Sequence, residues 1–142
     1  MAECYLTITI TSYIFIGLGK GYTVRRIVTS WSVLRVCHCY SYLFWSDGTN
    51  GSAKIERSDL SGNNRRVLVS SAQDLVSPTT LVVDFSSRKL YWLDSAAEKI
   101  GCVNFDGSGP LSWRISGLRQ MSAMTIYRVR TKHLYIIALK LD

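Results

Sequence analysis

The chain has 142 residues, 47% of them hydrophobic, with four Trp, eight Tyr and a formal net charge of +7. That length and composition allow a globular core, and they exclude a disordered, collagen-like or disulfide-rich chain, because four cysteines are too few and too scattered to staple one. Nor does the charge mark a face for nucleic acid: Tyr42 to Trp113, where the sequence repeats itself, holds seven basic and eight acidic residues, and the flanks hold the excess.

In chain order, the opening MAECYLTITITSYIFIGLGKGY has an acid and no base before its apolar run, and Thr alternates with Ile within it. This departs from a secretory leader. Tyr5 to Gly19 is fifteen residues, fewer than the about 20 that cross a bilayer, so the alternation points to strand. Cys37-His38-Cys39 puts two sulfurs on one strand face and the imidazole on the other. With no second ligand pair nearby, these cysteines read as small buried hydrophobes rather than metal ligands.

From Tyr42 the pattern sharpens. YLFWSDGTNGSAKIERSDLSGNNRRVL is answered by LYWLDSAAEKIGCVNFDGSGPLSWRI; Trp45 to Trp92 is a step of 47, and Tyr91 to Tyr135 a step of 44. Such steps, with short strands and no 3.6-residue periodicity, fit one four-stranded propeller blade each. In the second copy Leu81 to Phe85 reads as an inner strand, Leu90 to Leu93 as the next, Lys99 to Asn104 as a third and Trp113 to Ile115 as the outer one. Ser86-Ser87-Arg88 makes the first turn, and Asp106-Gly107 reads as a two-residue hairpin pair with positive φ at both positions. The first copy has Lys54 to Arg57 and Arg66 to Val69 around Ser61-Gly62. Equal intervals place Leu34 to Cys37 as its inner strand, and Met124 to Tyr127 and Leu134 to Ile137 as the first two strands of a third copy.

Phe44-Trp45-Ser46-Asp47 and Tyr91-Trp92-Leu93-Asp94 are the centre of the repeat. Adjacent aromatics on a strand point to opposite faces, so one ring is expected between neighbouring blades and the other against its own sheet. The Asp ends the strand and can accept backbone N–H groups of an adjacent turn, tying blade to blade. Asp84 ends an inner strand in the same manner. All nine residues are read as structural. Catalytic residues are not found: His38 and His133 are the available near-neutral bases, and no nucleophile motif accompanies them. No metal-ligand or cofactor signature appears either. Asn50-Gly51-Ser52 is an acceptor sequon for an N-linked glycan in a short loop. The loops Gly48 to Ala53 and Ser95 to Glu98 are the places for ligand contact.

These motifs resemble the class B repeats of the low-density-lipoprotein receptor family, marked by a Tyr-Trp-Thr-Asp box. The two boxes match it, KIERSDLSGNNRRVLV looks like the family's third and fourth strands, and Pro78 to Phe85 is similar to its next inner strand. The resemblance implies an all-β chain, an incomplete β-propeller of two to three four-stranded antiparallel blades, since the family's propellers have six. It divides the chain into a poorly matching segment 1–41, with 31–41 offering an inner strand to the first blade, repeat 1 at 42–88, repeat 2 at 89–132, and the truncated start of a third at 133–142. The departures are Cys37 and Tyr127 where Asp is expected, Met121 for Pro, and Ile136-Ile137-Ala138 for Trp-Thr-Asp.

Such a resemblance implies an extracellular module of a receptor-related protein that binds a protein ligand on the propeller's loop face, in endocytosis or signalling. It implies no nucleic-acid partner, and a membrane only through parts of a parent chain outside this one. The alternative is a matrix or growth-factor-precursor propeller with an interaction role; a propeller hydrolase would need a triad or acid cluster that is missing. Two or three blades leave apolar side faces uncovered, so the chain alone is expected to associate or to fold only in part.

Overall fold

A computed structural model describes residues 42–129 and 133–140, with side chains over 42–127 and 135–140, and in addition the strand backbone at 7–9, 14–17, 22–25 and 33–37. Cys4, His38 and Cys39 lie outside the described residues. The described chain is all-β apart from two short 3-10 turns, Ser71–Gln73 and Leu118–Gln120. Its strands are β1 (Thr7–Thr9), β2 (Ile14–Gly17), β3 (Tyr22–Arg25), β4 (Val33–Cys37), β5 (Tyr42–Asp47), β6 (Lys54–Asp59), β7 (Arg66–Ser70), β8 (Pro78–Asp84), β9 (Lys89–Asp94), β10 (Lys99–Asn104), β11 (Leu111–Arg114), β12 (Ala123–Val129) and β13 (His133–Leu139).

Two antiparallel sheets carry the repeat. The first runs β4-β5-β6-β7, with β1 added at the free edge of β4 as a fifth strand; the second runs β8-β9-β10-β11. Their registers coincide at the repeated Trp. Trp45 stands between Leu34 and Glu56, and Trp92 between Leu81 and Gly101. β12 pairs with β13, and β2 with β3, as separate two-stranded sheets. Each sheet is thus a blade, whole or partial, and the fold is an incomplete β-propeller.

The blades meet along two apolar seams. Phe44, Ile55 and Val69 of the first blade pack with Leu81, Leu90, Trp92 and Phe105 of the second. Tyr91, Leu93, Ile100 and Cys102 of the second blade pack with Met124 on β12 and Leu118, and Ile136 adds its side chain from β13. Both box aromatics of the second blade therefore enter seams, on opposite sides of the sheet, where one was expected to face only its own blade. The reason is geometric: in a radial stack each side of a blade is a seam, so the two faces reached by alternation are both buried.

Several edges differ from the sequence reading. The inner strand of the second blade runs from Pro78, where the family resemblance starts it and not at Leu81, to Asp84; a proline is tolerated as the first strand residue, before a ladder N–H is needed. The outer strand is Leu111–Arg114 instead of Trp113 to Ile115; all four residues are exposed, so no buried alternation marks it. Asp106-Gly107 does not form a two-residue hairpin. The loop spans Phe105 to Pro110, and the positive φ values fall on Gly107 (89°) and Gly109 (59°), while the Asp106 carboxylate accepts from the Ser108 N–H at 2.9 Å and its hydroxyl at 2.6 Å. A side chain that hydrogen-bonds two residues onward stabilises this wider turn.

Candidate ligand-binding rim

The repeated carboxylates hold the loops in place. Asp94, 1% exposed, accepts from the N–H groups of Val76 (2.7 Å) and Ser77 (3.1 Å), in the connector from the first blade to the second, and from Ala97 (3.0 Å). Asp94 thus anchors the end of the connector that leads from the first blade into the second. Asp47 accepts from the Thr49 N–H (3.0 Å) and hydroxyl (2.6 Å), turning its own loop. Ser46, fully buried, also ties the first blade to the second, its hydroxyl donating to the Pro78 carbonyl at 3.3 Å. Asp84, also buried, accepts from the N–H and hydroxyl of Ser86 and shapes the turn into β9.

The hydrophobic positions of the box are interior. Phe44, Leu93, Trp45 and Trp92 are all buried, and Tyr91 is 6% exposed. The Phe44 ring lies 4.9 Å from that of Phe105 across the seam. Trp92 lies on Gly101, where a Cβ would come within 2.1 Å of the indole. Trp45 instead faces Glu56, which holds Arg65 in a two-pronged ion pair (2.8 and 2.7 Å), and that guanidinium lies over the indole at 5.1 Å. Arg57 crosses the seam: its Nη1 donates to the Phe105 carbonyl at 2.7 Å and its guanidinium lies over Tyr42 at 4.1 Å. Sequence reasoning passed over Glu56, Arg57 and Arg65. The available signal was charge at successive positions of a strand flanked by apolar ones, which on a two-sided buried strand demands partners.

Those ties bring four loops to one rim: Gly48 to Ala53, the connector 71–77, Ser95 to Glu98, and the connector 115–122. Thr49 to Ser52 are exposed, Asn50 among them at the tip of its turn, while Ala53 is buried in the first seam. Between the two connectors and Ser95 to Glu98 lies an open cleft of about 450 Å³, lined by Asp74, Val76, Glu98, Lys99, Arg114 and Arg119 among others. Lys99 is paired with Asp74 at 3.2 Å, Glu98 accepts from the Gly117 N–H at 3.2 Å, and Val76 is 48% exposed. The cleft therefore offers two exposed arginines beside an exposed apolar residue.

The opposite rim carries tight Asx turns. The Ser61 hydroxyl beside Asp59, with N–H donors of the same turn, and the Ser108 hydroxyl and N–H beside Asp106 hold both carboxyls below the usual carboxylate range. Cys102 lies in the second seam, and burial pushes its thiol up. Among the described residues no group of three His, Cys, Asp or Glu could hold a metal ion, and no helix is long and apolar enough to cross a membrane.

Residues 41–85 match the family model described as low-density lipoprotein receptor repeat class B. Over 134 residues, 94% of the chain, it is 31% identical to human low-density lipoprotein receptor-related protein 5 and 28% identical to the mouse protein. It is also 37% identical over 54 residues to chicken low-density lipoprotein receptor-related protein 8. The chain spans only 8% of the length of the human and mouse proteins. A solved chain from a nidogen/laminin complex superposes with a TM-score of 0.67 at 26% identity, covering 87% of this chain and 48% of that one. The chain thus carries a low-density lipoprotein receptor class B repeat and is a homologue of the low-density lipoprotein receptor-related proteins.

Proposed function

We propose that this chain is part of an extracellular, protein-binding β-propeller of receptor type, which engages its ligand through the rim bearing the β5–β6 and β9–β10 turns. The observation that supports this most is the alignment of nearly the whole chain with a receptor-related protein. The rim adds a physical reason: rigid seams fix the loops between strands, and the cleft sets Arg114 and Arg119 beside Val76. Binding is favoured over catalysis because the carboxylates Asp84 and Asp94 are occupied by backbone and hydroxyl donors that shape their turns. Asn50, exposed on the same rim, is the proposed glycosylation site; a mass loss on enzymatic deglycosylation that Asn50→Gln removes is the expected result.

A matrix role is the second reading, favoured by the fold match to a chain of a nidogen/laminin complex. Both readings are tested by binding the secreted chain to immobilised extracellular proteins, laminin first. Saturable binding abolished by Arg114→Glu with Arg119→Glu, and unaffected by Arg88→Glu on the other rim, is expected. Loss with Arg88→Glu alone would move the ligand to the opposite rim, and no binding to any such protein would overturn the proposal.

A further inference from the structure

An asparagine or aspartate can cyclise onto the next residue when its side-chain carbonyl is unengaged, the following N–H is free to attack, and no bulky side chain obstructs the approach. Glycine meets the last condition, having no Cβ. The sequence holds three pairs of this kind, Asp47-Gly48, Asn50-Gly51 and Asp106-Gly107. The fold treats them differently.

The two aspartates are held. The Thr49 N–H and hydroxyl occupy the Asp47 carboxylate, and those of Ser108 occupy the Asp106 carboxylate. Gly107 donates its own N–H to the Asn104 carbonyl at 2.9 Å, and the lowered Asp106 carboxyl stays ionised at neutral pH, which makes it a poor electrophile. Asn50-Gly51 is open. Both residues are exposed at the tip of a turn that the Ser52 N–H closes on the Thr49 carbonyl at 3.0 Å, and among the described residues neither the Asn50 amide nor the Gly51 N–H hydrogen-bonds to the protein. Gly51 has a φ of 77°, and a Cβ built on it would meet nothing within 4 Å. There is space for the turn to reorganise and for water to enter.

We propose that Asn50-Gly51 is a site of spontaneous deamidation, and that Asn50 has two exclusive fates, a glycan or an acid. The Gly51 nitrogen attacks Asn50 Cγ; as the new C–N bond forms the Cγ–Nδ2 bond breaks, and Nδ2 leaves as ammonia with the proton that Gly51 gives up. Water then opens the cyclic imide at either carbonyl, leaving aspartate or, with the main chain rerouted through Cγ, isoaspartate. No oxidant or reductant takes part. Either product adds a negative charge to the rim and lacks the amide nitrogen that a glycan needs, so the sequon is lost. A glycan attached first blocks the step, because Nδ2 then carries the sugar and is a hindered leaving group. The deamidation needs no ligand; only the competition rests on the reading of Asn50 as a glycan acceptor.

The unglycosylated 142-residue chain, made in bacteria and incubated at neutral pH with and without urea, tests this by peptide mass spectrometry. In buffer, Asn50 should gain the mass of amide-to-acid exchange at least about tenfold faster than Asn63, Asn64 or Asn104. Isoaspartate should form there at position 50 and not at Asp47 or Asp106, whereas in urea it should form at all three. Gly51→Ala should slow the reaction at least about tenfold, since its Cβ obstructs the attacking nitrogen. The glycosylated chain secreted from animal cells should keep its glycopeptide intact over the same time. An Asn50 that survives in buffer and reacts in urea, or isoaspartate at Asp106 as fast as at position 50 in buffer, would overturn the proposal. A secreted chain with no glycan on Asn50 would overturn the competition alone.

Discussion

The two middle blades place the same tryptophan in the same register and support it by opposite means. In the second blade the cross-strand partner of Trp92 is Gly101, and the indole lies directly on backbone. In the first the partner of Trp45 is Glu56, 3% exposed, whose charge is met by Arg65, and the arginine in turn covers the indole. One solution removes every side-chain atom beneath the ring; the other uses an ion pair as a spacer and a lid. The second carries a cost, since Trp45 Nε1 is buried with no hydrogen-bond partner. A repeat can thus keep its geometry while exchanging the chemistry that fills it.

Four perturbations probe this contrast, each read by urea unfolding at fixed chain concentration, because association contributes to apparent stability. Trp92→Ala should be the most damaging, at about 3 to 5 kcal/mol, the range for emptying a large core site. Trp45→Phe should cost less than Trp92→Phe, because it also removes an orphaned donor whose burial penalty is about 1 to 3 kcal/mol. Equal costs would remove the distinction between the two supports. Gly101→Ala should lose about 1 to 3 kcal/mol by overpacking, since its Cβ would come within 2.1 Å of a ring that is itself buried.

Glu56→Gln tests the spacer in the first blade. It keeps the shape and removes the charge that holds Arg65, and about 1.5 to 3 kcal/mol is the scale for hydrogen bonds to charged groups; half of the arginine is in solvent, so the lower end is expected. Double substitution of Glu56→Gln with Arg65→Met should then be less than additive.

The smallest effect is with pH. Asp59 and Asp106 have carboxyls lowered from 3.8 by their serine partners, so their contribution is fully present above that value and is lost as pH falls through the lowered ones. The melting temperature should show no change from these groups between pH 7 and 5. Ser61→Ala and Ser108→Ala should move each carboxyl titration, followed by nuclear magnetic resonance, back toward 3.8.

Much of the fold was legible because its signals are local. The box, the strand-ending carboxylates and the steps of 47 and 44 residues mark each strand by its own composition. β11 was misplaced because an exposed edge strand buries nothing and so leaves no alternation. Gly101 and Arg57 were passed over for a different reason: the first is defined by the indole lying on it, the second by a carbonyl 48 residues away. The rim cleft was legible only in part, since its loops could be placed while Arg114 and Arg119 lie in a stretch without motif.

By itself, then, the sequence determined the repeat, its strand type and the spacing of its aromatic and acidic positions, all properties of neighbours along a chain whose side chains alternate every two residues. Tertiary structure decided which faces became seams, that Tyr91 and Trp92 enter two different ones, and how Trp45 and Trp92 are supported. Those outcomes depend on contacts between blades some 47 residues apart, where shape and charge are matched in space and leave no periodicity to read.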